Sequence, residues 1–482
     1  MRCGRKCSVT ETKPRLVFEF ALAKTKPGFF FIGRMPVAFR SHVAAVIGSA
    51  RFMHSTPGYS TASAAAAPVP WYRTITRDQW HVLAAAKLGW MLDAMDFMLY
   101  AMAIGQLRAY FGIDDAMAGL LGTVTLVMSG GGGIVFGLVA DRLGRTRALM
   151  ATILVFSFAS LGASTSQTLM QLLMWRAILG IGMGGEWASG AVLISETWPP
   201  AHRNKAISIM QSGWAIGYIL AALTAAVILG APGSDPEAWR WLFVVGVLPA
   251  LFTLWIRRHV REPEAWAARG AAARVSNPLK VIFGRGLLGR TLLIILLGSS
   301  VQFAYWGIFF WLPAFLARPV AQGGAGMGVV GSLGWIIPVQ IGAYFGYLTF
   351  GFIADRFGRR RTFILFMLVA ALLVPIYGQM ARNPLVLMLL GPVLGYFGHG
   401  YFSMFGSFIA ELFPTAVRGT GQGTSYNVGR MAGAVAPYTI GAVATLPGIG
   451  IGLALGVTSA FFLLAAGLIF TLPDRSGQEL EA

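Results

Sequence analysis

Two nine-residue stretches of the chain match each other: residues 137–145 read GLVADRLGR, and residues 351–359 read GFIADRFGR. A second pair repeats this relation, because Glu196 and Glu411 are each followed by a proline three residues later and an arginine seven residues later. Both pairs are displaced by nearly the same distance, which predicts duplication of a unit about half the chain long. Such repeats are typical of secondary transporters, whose substrate site lies between the halves.

The composition is that of a membrane protein. Of 482 residues, 56% are hydrophobic and 12% charged, whereas soluble proteins carry about 25% charged residues. The only cysteines, Cys3 and Cys7, lie in a polar segment, and the six histidines show no metal-binding spacing. We therefore expect no disulfide scaffold, no metal site and no cofactor.

Twelve apolar segments are long enough to cross a bilayer core of about 30 Å. This predicts an all-α membrane protein with twelve transmembrane helices in two pseudo-symmetric six-helix bundles. The predicted spans are 82–107, 117–140, 148–166, 169–195, 206–230, 240–256, 289–317, 327–354, 362–380, 384–411, 418–446 and 449–472.

The loops predict the orientation. Loops 2–3, 4–5, 6–7, 8–9 and 10–11 carry most of the loop Lys and Arg, whereas the opposite loops hold Arg108, Arg240, Arg318 and Arg382. Basic loops stay in the cytoplasm, so both termini are predicted to be cytoplasmic, in a bacterial inner membrane. The net charge of +19 is then explained by topology and tail, and we expect the lipid bilayer, not a nucleic acid, as partner.

The predicted domains are a basic, disordered cytoplasmic tail (1–81), an N-terminal six-helix bundle (82–256), a cytoplasmic linker (257–288), a C-terminal six-helix bundle (289–472) and a short cytoplasmic tail (473–482). The first tail is rich in arginine and poor in acids, so an organelle transit peptide is an alternative. Met35 and Met53 are alternative starting points of the chain.

The repeated turn has a physical explanation. Its glycines allow a tight turn, and its arginines can pair with Asp141 or with Glu196. Anchoring by any basic loop would explain the arginines, but not an aspartate at the same place twice. The glycine runs 130–133 and 180–185 are explained by close packing of membrane helices, since no strand or Gly-Lys-Ser/Thr makes them phosphate loops.

The G-x-x-x-D-R-x-G-R pattern resembles the signature of the major facilitator superfamily, and the resemblance covers about residues 80–472. It implies two bundles around a central cavity, and a latch on the cytoplasmic side. The residues that would inherit this gating role are Asp141, Arg142, Gly144, Arg145, Glu196 and Arg203, with Asp355, Arg356, Gly358, Arg359, Glu411 and Arg418 in the second copy.

Four further stretches narrow the resemblance: 92–97 (LDAMDF), 176–187 (RAILGIGMGGEW), 311–313 (WLP) and 427–430 (NVGR). Together they are similar to the sialate:proton symporter group and its lactate/pyruvate permease relatives, with aromatic-acid and other metabolite:proton symporters close behind.

Ionisable side chains inside a bilayer are functional candidates, because burying them is expensive. Those that we single out are Asp93, Asp96, Arg176, Glu186, His399 and Arg430. At about 1.5 Å per residue, Asp93, Asp96, Arg176 and Arg430 all lie near mid-depth. Asp93 and Asp96 are one turn apart, so we expect one of them to hold a proton near neutral pH.

Our hypothesis is that Asp96 pairs with Arg176 while Asp93 takes and releases the coupled proton. A static ion pair between two helices is the alternative. Glu186 is equally suited to neutralise a nearby charge or to join the proton path, and His399 is expected to be a packing histidine more than a proton relay.

The planar guanidinium of Arg430 suits a carboxylate, so it is the predicted anchor of the substrate, although an acid on another helix would satisfy it equally well. The other predicted substrate-binding residues are Asn427, Gln302, Tyr305 and Tyr401, with Trp306 and Trp311 as further aromatics that could line a cavity.

The sequence therefore predicts a monomeric, proton-driven symporter of a small organic anion, either a monocarboxylate such as lactate or pyruvate, or sialate. An aromatic-acid or other metabolite symporter is the alternative within transporters. A transport-inactive nutrient sensor on the same fold is the alternative outside them. A membrane enzyme is disfavoured because no nucleophile–base pair or metal ligand set is present.

Overall fold

The computed structural model describes residues 70–230, 235–262, 277–414 and 417–472. Most of the predicted N-terminal tail, the middle of the predicted linker and the predicted C-terminal tail lie outside the described residues.

The described residues form helices and no strands, and twelve helical spans confirm the predicted architecture. The spans are α1 Arg77–Phe111, α2 Asp115–Leu143, α3 Arg145–Ser164, α4 Leu169–Thr197, α5 Pro200–Gln211 with Gly213–Leu229, α6 Trp239–Val245 with Pro249–His259, α7 Leu288–Phe309 with Leu312–Ala317, α8 Gly328–Phe357, α9 Arg359–Gln379, α10 Pro384–His399 with Phe402–Glu411, α11 Arg418–Gly433 with Ala436–Ala444, and α12 Gly450–Ala454 with Val457–Thr471.

Nine of the spans, within the described ranges, are long and apolar enough to cross a membrane. The exceptions are α1, α10 and α11. Charged side chains interrupt the apolar surface of α1. The first segment of α11 is polar, and the apolar segment Pro384–His399 of α10 is short. Polar residues in a bilayer mark function, so α1 and α11 are the spans on which a site is expected.

Glycines with positive φ angles make the two signature turns. Gly144 has φ +111° between α2 and α3, and Gly358 has φ +90° between α8 and α9. Side chains rarely adopt such φ values, which explains why both copies of the motif hold glycine there. We call the end of the helix assembly that carries these two turns the basic face, and the other end, where α1 turns into α2, the opposite face.

The packing of the helices repeats between the halves. In the first half α1 packs against α5 and α2 against α4, and in the second half α7 packs against α11 and α8 against α10. The halves meet where α2 contacts α11 and where α5 contacts α8. The six-helix repeat relates α2 to α8 and α5 to α11, so each of these two contacts is the counterpart of the other. The interface between the halves is therefore pseudo-symmetric.

Glycine is required where α2 and α4 cross. A Cβ atom on Gly184 would collide with the backbone carbonyl oxygen of Ser129, and one on Gly132 would collide with the carbonyl of Ile181. The glycine runs therefore bring two backbones into contact, as their composition predicts.

We expect Gly184→Ala to lower the stability of the protein by about 1–3 kcal/mol, because the added methyl group overpacks a backbone contact. The measurement is the melting temperature of the purified protein in detergent. Gly131→Ala is the matched control, since a Cβ there meets nothing within 4 Å. Equal melting temperatures for the two variants would show that the helix crossing tolerates the extra atom.

Candidate substrate cavity and buried charge cluster

A small cavity lies between the two halves at the middle of the helices. Its walls come from α1, α5, α7, α8, α10 and α11. Seven of its ten lining residues are aromatic, and Arg430 is the one charged side chain among them; the lining consists of Trp90, Gln211, Trp214, Gln302, Tyr305, Trp306, Tyr347, Phe402, Tyr426 and Arg430. Three predicted substrate-binding residues, Arg430, Gln302 and Tyr305, thus lie at the cavity.

Breaks in the helices help to position this lining. The bend at Ser212 separates the two segments of α5, and Gln211 and Trp214 lie on either side of it. On α7, the Nε1–H of Trp306 donates a hydrogen bond to Oε1 of Gln302 at 2.9 Å, which fixes two wall residues one helical turn apart.

Arg430 also belongs to a cluster of buried charges beside the cavity. Asp93, Glu186 and Arg430 are each at most 2% exposed, and Arg430 interacts electrostatically with both carboxylates. The carboxylate of Glu186 lies against α1, where a Cβ on Gly89 would be 2.5 Å from its Oε1. Asp93 is the next residue of that helix face, one turn away. No described side chain or backbone group donates a hydrogen bond to either carboxylate.

The predicted direct contact between Asp96 and Arg176 is wrong in this structure. Oδ1 of Asp96 instead accepts a hydrogen bond of 2.5 Å from the hydroxyl of Ser160 on α3. The guanidinium of Arg176 lies over the ring of Tyr100, 4.2 Å from its centroid. The two charges still interact at longer range, but depth alone did not reveal that they point to different neighbours.

Two other predicted substrate-binding residues do not lie at the cavity. The side-chain amide of Asn427 donates to the carbonyl of Gly423 at 3.0 Å and packs against Gly133 of α2. Tyr401 is fully buried beside Phe402. Of the further aromatics, Trp306 lines the cavity, whereas Trp311 donates from Nε1 to the carbonyl of Pro437 at 2.9 Å.

His399 is enclosed by aromatic rings. Its Nδ1 lies 3.0 Å from the carbonyl of Gly395, and its ring centroid lies 4.0 Å from that of Phe309 and 5.1 Å from that of Tyr305. This environment fits a packing role, as expected from the sequence.

Several residues at or near the site were not predicted from the sequence. Lys87 on α1 is half-buried, with its ammonium group 5.6 Å from the ring centroid of Tyr344 on α8. Tyr426 was also missed, although it precedes Arg430 by four residues and therefore lies on the same helix face. The wall residues Gln211, Trp214 and Tyr347 carry no sequence signal that separates them from packing residues.

The signature turn on the basic face contains a paired arginine. Arg145 binds Glu196 of α4 through Nε and Nη2, each at 3.2 Å. Glu262, after α6, accepts hydrogen bonds of 3.1 Å from the backbone N–H groups of Thr146 and Arg147. These contacts join α3, α4 and the start of the linker into one unit on the basic face.

The predicted gating role stays a prediction for the other signature residues. Gly144 and Gly358 make the turns, and Arg359 begins α9. Arg203 lies near the start of α5, and Arg356 places its guanidinium 5.6 Å from the ring centroid of Phe357. The side chains of the remaining members lie outside the described part of the chain: Asp141, Arg142, Asp355, Glu411 and Arg418.

An ion pair joins the halves at the opposite face. Asp115, at the start of α2, accepts from Nη1 and Nη2 of Arg318, which follows α7, at 2.6 and 2.5 Å. Nε of Arg108 is 3.1 Å from the same carboxylate. The cavity is therefore separated from the opposite face by a contact between the halves that the signature motifs did not predict.

Comparison with known proteins agrees with this architecture. A family model described as Major Facilitator Superfamily matches residues 88–339. The chain is 33% identical to the "Probable 4-methylmuconolactone transporter" of Cupriavidus pinatubonensis, over 85% of this chain and 94% of the relative. It is 30% identical to the sialic acid transporter NanX of Escherichia coli, over 84% of this chain and 97% of the relative. The partially occluded inward-open structure of the E. coli xylose transporter XylE superposes with a TM-score of 0.67 at 19% identity, over 84% of this chain and all of that one.

Two six-helix halves around a central cavity are the architecture of a membrane transporter of small solutes. The chain belongs to the Major Facilitator Superfamily. It is a multi-pass membrane protein and a transporter, not an enzyme, and the predicted resemblance to the sialate symporter group is confirmed by the match to NanX.

Proposed function

We propose that this protein is a proton-coupled symporter that carries a small organic anion across the bacterial inner membrane by alternating access. The observation that carries the proposal is the position of Arg430, which lines the central cavity and also faces two buried carboxylates. A carboxylate substrate and the acids Asp93 and Glu186 would then compete for one guanidinium.

The balance of buried charge explains how a proton would be coupled to transport. Within the described residues, the mid-membrane charges that are buried are three carboxylates, Asp93, Asp96 and Glu186, and two guanidiniums, Arg176 and Arg430. An unbalanced buried charge is very unfavourable, so the empty carrier would hold one proton. A bound substrate carboxylate adds a second excess negative charge, and a second proton would then restore the neutrality of the buried cluster. One proton would accompany each substrate carboxylate.

The lining favours a planar, unsaturated or aromatic carboxylate. Seven aromatic side chains provide flat apolar surfaces, which suit offset or edge contacts with another ring. Of the alternatives that the sequence left open, the aromatic lining therefore favours the aromatic-acid symporter. The relative named as a 4-methylmuconolactone transporter supports the wider choice of an unsaturated cyclic carboxylate.

We place the basic face in the cytoplasm, because loops rich in Lys and Arg remain on that side of a membrane. With this orientation the Asp115–Arg318 pair faces the periplasm, and the paired Arg145 faces the cytoplasm.

Radiolabelled uptake into proteoliposomes with an imposed pH gradient, acidic outside, tests the proposal. We expect 4-hydroxybenzoate to accumulate, with lactate, pyruvate and sialate transported more slowly, and we expect accumulation to collapse when a protonophore removes the gradient. Flux that ignores the gradient would show a uniporter, and absence of flux for every compound would favour the nutrient sensor.

A further inference from the structure

Trp187 joins the two halves of the molecule just beneath the cavity. It follows Glu186 on α4, and its ring is stacked on that of Tyr426 on α11, with centroids 4.3 Å apart and ring planes 15° apart. Because α4 belongs to the first half and α11 to the second, the stack crosses the interface between them.

Trp187 also fixes a second lining residue. Its Nε1–H donates a hydrogen bond of 3.1 Å to Oε1 of Gln211 on α5. Both Gln211 and Tyr426 line the cavity, whereas Trp187 itself does not. Trp187 thus supports one wall residue from each half without occupying the cavity.

The height of the stack places it between the cavity and the basic face. Trp187 lies about 15 Å from the basic-face end of α4, and Tyr426 about 12 Å from the start of α11. Arg430 lies one turn further from that face, at about 18 Å. A movement of the halves that opens the cavity toward the basic face would separate α4 from α11 and break the stack.

We propose that Trp187 is a positioning residue for substrate recognition: it orients Gln211 and Tyr426 and so closes the basic-face side of the cavity around a planar organic anion. This inference rests on the proposed function. A purely structural tryptophan would affect the amount of folded protein, whereas a positioning residue changes KM.

Counterflow in proteoliposomes without a pH gradient tests this role, since exchange reports binding and reorientation without proton-driven accumulation. Trp187→Phe keeps an aromatic face for Tyr426 but removes the indole N–H, and Gln211→Met removes the acceptor. We expect each variant to raise KM about three- to tenfold, which corresponds to the free energy of one lost hydrogen bond. Vmax should stay within twofold of that of the unmodified protein. Trp187→Leu, which also loses the stack, should raise KM further.

The double variant Trp187→Phe/Gln211→Met should have a KM no higher than that of Gln211→Met alone, because both changes remove the same hydrogen bond. Trp175→Phe is the matched control, because this half-buried tryptophan of α4 packs on Gly162 of α3. The KM of the Trp175→Phe variant should equal that of the unmodified protein. The probe is whichever of 4-hydroxybenzoate, sialate, pyruvate and lactate the unmodified protein exchanges fastest.

The possible failures are distinguishable. Unmodified protein that exchanges none of the four compounds overturns the proposed function, and this inference with it. Suppose that the unmodified protein exchanges one of them. An unchanged KM in Trp187→Phe, or a KM in the double variant that combines the full effects of both single substitutions, then overturns the role of Trp187 alone. A lower yield of folded Trp187→Phe with unchanged KM would also assign it a structural role only.

Discussion

Arg430→Lys is expected to raise the KM for the transported anion by one to two orders of magnitude while the protein still folds. The planar guanidinium can give a carboxylate two parallel hydrogen bonds, which an ammonium group cannot reproduce. Loss of such charge-assisted bonding costs about 1.5–3 kcal/mol, and each 1.4 kcal/mol corresponds to about tenfold in affinity. The measurement is the concentration dependence of initial uptake.

Folding is expected to survive because lysine keeps the positive charge that faces Asp93 and Glu186. Removing the charge altogether would leave buried carboxylates unbalanced, which is strongly destabilising. Arg176→Lys is the matched control, since Arg176 is equally buried but lies over Tyr100 and away from the cavity lining. If Arg430→Lys transports with the original KM, the substrate carboxylate binds elsewhere.

The sequence was sufficient to predict the spans because crossing the hydrocarbon core demands about 20 apolar residues per helix. The same demand makes charges within a span conspicuous, so the amino-acid sequence alone identifies the buried set of Asp93, Asp96, Arg176, Glu186 and Arg430. Lys87 was overlooked in α1, where the charge lies nearer the basic face and covers an aromatic ring of α8.

Partners were harder to predict than depths, because rotation about each helix axis decides which neighbour a side chain meets. Asp96 and Arg176 lie at similar heights, yet the carboxylate turns to Ser160 and toward Gly246, where α6 breaks. Asn427 lies three residues from Arg430, so its side chain is rotated by about one sixth of a turn. It packs on α2 instead of the cavity. Such differences depend on how neighbouring helices pack, which a single sequence does not specify.

Asp93→Asn is expected to abolish the response of uptake to an imposed pH gradient while counterflow continues. A one-unit gradient is worth about 1.36 kcal/mol per proton, so one coupled proton supports about tenfold accumulation of a monocarboxylate. An amide cannot take up that proton, and the accumulation ratio should fall to about one. Exchange of labelled for unlabelled anion requires no net proton movement, so it should persist at a comparable rate.

Asp96→Asn makes the same chemical change one helical turn away and is the sharpest control. An asparagine there can still accept the hydrogen bond that Asp96 receives from Ser160, so gradient-driven accumulation should be retained. Glu186→Gln tests the second carboxylate that faces Arg430 independently of Asp93. Loss of coupling in Glu186→Gln, with coupling intact in Asp93→Asn, would move the transported proton from α1 to α4. Coupling that persists in the double variant Asp93→Asn/Glu186→Gln would show that the proton does not travel through the acids facing Arg430. The competition of substrate and acids for one guanidinium could not then be the mechanism of coupling.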